Sequence, residues 1–182
     1  MKKIIILIVI VLAIVAGIYY WQSKKQVDTS AYPSVATVEA IKAIPQYEYT
    51  EIYTHPTNHF SFKYPKGFAV TSIPSDEGET MIVQNTVTKV AVQIIISKFQ
   101  GPDVDITPDI IKTDIPDMKI DSIQELLVGP SRKGLAFVSD NSAFGGKSRE
   151  VWFVFNGNLY QISTYYEFDD FLKGIFATWK FE

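Results

Sequence analysis

The apolar positions change pattern twice along the chain. Residues 4–21 form an uninterrupted apolar run, Ile4 to Ile18, continued by Tyr19, Tyr20 and Trp21. As a helix, its 18 residues span roughly 27 Å, close to the ~30 Å hydrocarbon core of a bilayer. Residues 22–56 then lose that character: a polar start, Gln22 to Ser30, is followed by Pro33, Pro45 and Pro56, with no glycine. Within them the spacing of Val38, Ile41 and Ile44 predicts a short helix over 35–44, ended by Pro45. Tyr47, Tyr49 and Tyr53 follow along an extended stretch.

From residue 57 onward the period is mostly two. Phe60, Phe62 and Tyr64 alternate with Ser61 and Lys63, and Pro65-Lys66-Gly67 turns the chain. A second strand covers 68–73. Residues 81–84 and 90–99 read as a hairpin around Asn85-Thr86-Val87-Thr88, with Val90, Val92, Ile94 and Ile96 on one face. Thr107-Pro108 opens a short helix that Pro116 closes, since Thr caps and Pro suits the first helical position. Four strands follow, over 123–128, 135–139, 150–155 and 159–166, with turns at Gly145-Gly146 and Asn156-Gly157. Val151 to Phe155 is apolar on both faces, which predicts a central strand covered on both sides. Phe168, Phe171, Leu172, Ile175, Phe176 and Trp179 fall at helical spacing, with Asp169 or Asp170 placed to cap. An antiparallel sheet sandwiched by helices, an α+β fold, is the expected architecture.

Three segments result: an N-terminal transmembrane anchor at 1–21, an extracytoplasmic linker at 22–56, and an α+β domain at 57–182. Lys2 and Lys3 precede the apolar run and the aromatics at its far end suit the interfacial belt. A cleaved signal peptide is the competing reading, but Val15 and Gly17 make a poor cleavage site before Ile18 to Trp21. The end of the linker is expected either to pack on the domain or to order on a partner.

Composition narrows the chemistry. Of 182 residues, 47% are hydrophobic and 20% charged, and the net charge is −3. With no basic stripe, nucleic-acid binding is not expected. Cysteine is absent, which removes disulfides, thiolate catalysis, Cys-ligated zinc and lipid attachment through a thiol.

The opening Phe60-Ser61-Phe62-Lys63-Tyr64-Pro65-Lys66-Gly67-Phe68 is similar to the start of PsbP-like domains. The close resembles them too: Leu159-Tyr160-Gln161-Ile162 leads to a helix ending Ala177-Thr178-Trp179-Lys180-Phe181. The resemblance covers roughly 57–182 and implies an α/β/α sandwich around an antiparallel sheet, with accessory or binding work rather than catalysis. None of that family's photosystem-binding residues maps onto a position here, so no photosynthetic role is implied.

Candidate sites are few. Asp103, Asp105, Thr107, Asp109 and Asp114 fall at calcium-loop offsets, with Asp117 and Asp121 beyond. Pro108 stands where that loop needs Gly, so a solvated acidic loop is the plainer reading and a Ca2+ site the sharper one. His55 and His59 are the only histidines, four apart across Pro56, and read as surface or loop-packing residues. Gly145-Gly146-Lys147-Ser148 lacks the earlier glycine of a phosphate loop and reads as a hairpin turn. No hydrolase nucleophile motif is visible, and Glu167 with Asp169 reads as helix capping. Tyr165, Tyr166 and the linker tyrosines are core stripes or, alternatively, a surface platform. The expected function is a membrane-anchored extracytoplasmic binding module contacting an envelope or membrane protein partner, not an enzyme. Divalent-ion or small-ligand binding at loop 103–121 is the alternative.

Overall fold

The computed structural model describes residues 46–182, so the apolar run at 4–21 and the helix at 35–44 lie outside the described residues. Among the described residues no helix is long and apolar enough to cross a membrane.

Alternation along the chain resolves into two antiparallel sheets. A small one has the order β1-β2-β10, from β1 (Tyr49–Thr54), β2 (Phe60–Pro65) and β10 (Lys180–Phe181). The large one opens with β3 (Ala69–Ser75), β4 (Gly78–Gln84) and β5 (Ala91–Lys98). It is completed by β6 (Ile120–Val128), β7 (Arg132–Ser139), β8 (Ser148–Phe155) and β9 (Asn158–Tyr165). Its order is β3-β4-β5-β9-β8-β7-β6, so the last hairpin inserts beside β5 and leaves β3 and β6 as edges. Two short helices complete the fold, α1 (Pro108–Asp114) and α2 (Asp169–Phe176).

The turn residues act as their types require. Gly67, at φ +86°, carries the chain out of β2. Asn156 and Gly157 both have positive φ, which matches the twist of the β8–β9 hairpin. The Thr107 side chain accepts from the Ile110 amide and caps α1, which ends ahead of Pro116.

β8 is buried along nearly its whole length, as its two-sided apolar pattern predicts. Val151 and Phe153 belong to the larger core, shared with Val92, Ile94 and Ile96 of β5 and with Phe171, Leu172 and Ile175 of α2. Trp152 and Val154 face the smaller core, closed by Ile106, Ile111 and Met118 around α1. Three departures from the expected sandwich matter. The layer over the larger core is a small sheet plus one short helix, because β2 leaves the large sheet instead of joining it. Phe60 and Phe62 of β2 stack on Trp179, with ring centroids 4.7 and 5.3 Å apart. The final helix stops at Phe176, so Trp179 lies beyond it, where residues 180–181 must be extended to pair with β2. The stretch read as the end of the linker joins the fold as strand β1, although the packing of Tyr47, Tyr49 and Tyr53 on the larger core is one of the two outcomes expected for it.

Candidate functional site

Strand β8 carries two charges directly after its first residue, Arg149 and Glu150, and the pleat sends them to opposite faces. Each organises a polar cluster next to a core.

Glu150 is buried on the α1 side. Its Oε1 accepts from Ser148 at 2.7 Å, Ser139 at 3.0 Å and the side-chain Nδ2 of Asn141 at 3.3 Å. Its Oε2 accepts from Ser163. Hydroxyls from three adjacent strands, β7, β8 and β9, thus replace the water this carboxylate gave up. Its acceptor positions are filled from within, so the cluster ties strands together rather than presenting a reactive carboxylate.

Arg149 lies on the α2 side, 9% exposed. Its Nε donates to Asp169 Oδ1 at 2.9 Å and its Nη2 to Oδ2 at 3.4 Å. Asp169 was expected to cap the helix. It makes no capping bond; Phe168 holds the cap position without one, and the carboxylate turns to Arg149 and to Lys173 Nζ at 2.9 Å. The arrangement still places Asp169 and Asp170 in the first turn, where the helix dipole favours a negative charge. Lys173 is raised above the ordinary lysine value by hydrogen bonds to Asp169 and then Asp170. The guanidinium also sits 5.8 Å from the centre of the Tyr166 ring. Its Nη1 is buried and has no hydrogen-bond partner among the described residues.

This charged group is part of the lining of a cleft of about 180 Å³ between α2 and strands β6 to β8. Leu126, Ala136 and Val151 line it from the sheet; Leu172 and Phe176 line it from the helix. Gln124, on the edge strand β6, stands at its rim. The volume is below the roughly 300–1,000 Å³ of drug-sized ligand sites, and suits a group about the size of one side chain.

A second cluster lies at the β1–β2 connection. His55 is buried; its Nε2 lies 2.8 Å from Glu79 Oε2. Its Nδ1 accepts from the amides of Thr57 and Asn58, at 3.2 and 3.0 Å. Those two donors put the ring proton on Nε2, which donates to Glu79. Glu79 also accepts from Ser72, which ties β4 to β3. A shallow hollow of about 160 Å³ beside it is lined by Asn58, Glu79, Lys98 and Asn158.

The aspartates singled out in the sequence are not brought together. Asp103 accepts from the Asn156 and Gly157 amides at 2.8 and 2.9 Å, buttressing the β8–β9 turn. Asp105 lies 3.7 Å from Lys133 and 4.0 Å from Arg132. Asp109 is exposed in the first turn of α1, and Asp114 accepts from Gln161 at 2.8 Å. Among the described residues no group of three or more His, Cys, Asp or Glu is placed to hold a metal ion. His55 and His59 diverge, His59 being exposed with φ 52°. Gly145 ends a short 3-10 turn, Ser142–Phe144, in the β7–β8 connection, so Gly145-Gly146 serves as the hairpin turn expected. Tyr165 and Tyr166 stay exposed, whereas the tyrosines of 47–53 are claimed by the core. Sequence reasoning did not single out Arg149 or Glu150. The signal was an adjacent charge pair opening an apolar strand, one charge for each face.

Compared with known proteins, the sequence matches no family model and no curated protein. Among solved structures it is similar to the solution structure of cyanobacterial PsbP (CyanoP) from Synechocystis sp. PCC 6803. The TM-score is 0.51 and the identity 8%, covering 81% of this chain and 99% of that one. Identity that low speaks for the fold alone: the domain has a PsbP-like fold, as the resemblance at Phe60–Phe68 and Leu159–Phe181 implied.

Proposed function

We propose that this chain is a non-catalytic accessory module, held to the cell membrane by residues 1–21, whose outward domain contacts a protein partner. The observation that carries the reading is the edge strand β6. Leu127 is 64% exposed there and Ile123 44%. Large apolar side chains on an unpaired edge are costly to leave in water and invite a partner strand or surface. The PsbP-like fold is consistent with such work, and the apolar run at the N-terminus supplies the tether.

A photo-crosslinking side chain placed at Leu127 in the full-length protein, in cells, tests this. One discrete adduct is expected, absent when the probe sits at Thr113 on α1 and lost when Ile123 is changed to Lys. Adducts of equal yield from both positions, or none from β6 at any crosslinker length, would sink the reading.

A further inference from the structure

The turn between β8 and β9 is Asn156-Gly157, the one place in the chain where an asparagine precedes a glycine. Such a pair is especially prone to lose its side-chain amide, because glycine puts no side chain in the way of its own nitrogen. The chemistry is internal to the turn. The Gly157 amide nitrogen gives up its proton to solvent base and attacks Cγ of Asn156. An N–Cγ bond forms, the Cγ–Nδ2 bond breaks, and Nδ2 leaves as ammonia with a proton from solvent. Water then opens the cyclic imide at either carbonyl, leaving aspartate or its backbone-extended isomer, isoaspartate. Asn156 is exposed, so water and base reach it.

In the fold the attacking nitrogen is already engaged. The Asn156 N–H donates to Asp103 Oδ2 at 2.8 Å and the Gly157 N–H to Oδ1 at 2.9 Å. One carboxylate, from the segment before α1, thus grips both turn amides with bonds of the charge-assisted kind. The Phe99 N–H also donates to the Gly157 carbonyl at 3.0 Å. A carboxylate against the Gly157 N–H opposes loss of its proton, since the nitrogen anion would face a negative charge. Both turn residues sit at positive φ, 51° and 70°, set by the twist of the hairpin, which opposes free rotation of the nitrogen onto Cγ. We infer that Asn156 is a site of spontaneous modification that Asp103 holds in check. Conversion sets a new carboxylate or an extra backbone atom beside Asp103, so the grip does not re-form. A converted turn is expected to lose its tie to residues 99–103.

The test incubates the full-length protein in mildly alkaline buffer and follows the tryptic fragment 150–173 by fragmentation mass spectrometry, which separates Asn156 from Asn158. A peptide of residues 155–158, blocked at both ends, is the unrestrained reference. Wild-type Asn156 is expected to convert more than about tenfold more slowly than the peptide. Asp103→Ala should raise the rate in the protein about tenfold, the worth of one charge-assisted hydrogen bond. Asp103→Asn, which keeps one acceptor, should raise it less, and Asp105→Ala should leave it unchanged. Asn58, Asn85 and Asn141 report on the fold, because a general loosening would speed them as well. Wild-type conversion as fast as the peptide overturns the proposal without recourse to any variant. So does an unchanged Asn156 rate in Asp103→Ala, or a rise there that Asn58, Asn85 and Asn141 share in equal measure.

Discussion

Individual residues show how differently buried polar groups are handled. Glu150 has four donors and no cationic partner among the described residues, so its stability contribution comes from three hydroxyls and one side-chain amide. Glu150→Ala would strand those donors and is expected to cost about 2–3 kcal/mol in equilibrium unfolding. Glu150→Gln keeps one acceptor and should cost distinctly less; equal losses would show that packing, not hydrogen bonding, is what matters there. Tyr49 and Tyr160 present the opposite case, neutral groups whose ionisation the fold opposes. Burial raises both from 10.0 to about 12, with nearby Tyr47 and Asp170 adding to it at Tyr49. Between these values the folded state holds protons that the unfolded chain has released, so stability falls as pH rises from about 10 to 12. Below 10 the contribution is complete. Tyr49→Phe should flatten part of that alkaline fall while losing the hydrogen bond to the Phe171 carbonyl, 2.9 Å. The check is unfolding followed across that range; an unchanged slope would separate Tyr49 from the effect.

At the scale of elements, pattern and turn chemistry were readable wherever local rules agreed. The hairpins at Asn85–Thr88 and Asn156-Gly157 and the capped helix after Thr107 stand where alternation and turn residues place them. The strands of 120–165 also appear, with bounds shifted by up to three residues. Helix α2 was legible as an apolar stripe, but its end and its cap were not. Both are set by partners far away in sequence: Arg149 takes Asp169 from capping, and β2 takes residues 180–181 into a strand. The same holds for Gly174. Inside a helix, Ala is favoured over Gly by about 1 kcal/mol. Here a methyl group would lie 2.0 Å from Cζ of Tyr49, which packs over this spot from β1. Gly174→Ala is therefore expected to destabilise the domain by about 1–3 kcal/mol. Combining it with Tyr49→Ala should add little further loss, since both act on one contact. Additive losses in urea unfolding would mean that the two residues do not share that contact.

For the whole molecule, the proposed tether makes a prediction about where the domain is found. Full-length protein is expected to stay with membranes through alkaline extraction, and a variant lacking residues 1–21 to stay in the cytoplasmic fraction. Release of a shortened chain to the exterior would instead support cleavage after the apolar run. By itself the sequence determined the apolar N-terminal segment, the α+β class, the order of most strands and the two-sided burial of β8. These depend on period, length and turn residues, all local properties. It also carried the PsbP-like signature at the first strand and the last helix. Only the tertiary structure decided that β2 would pair with β1 and β10, that the aspartates of 103–114 would be dispersed, and that Arg149 would meet α2 beside an apolar cleft. The physical reason is sequence separation. Asp169 lies 20 residues from Arg149, and Thr178 reaches Lys63 across 115 residues. Contacts of that kind leave no periodic trace in the chain; they exist once packing brings distant strands and the final helix to one face.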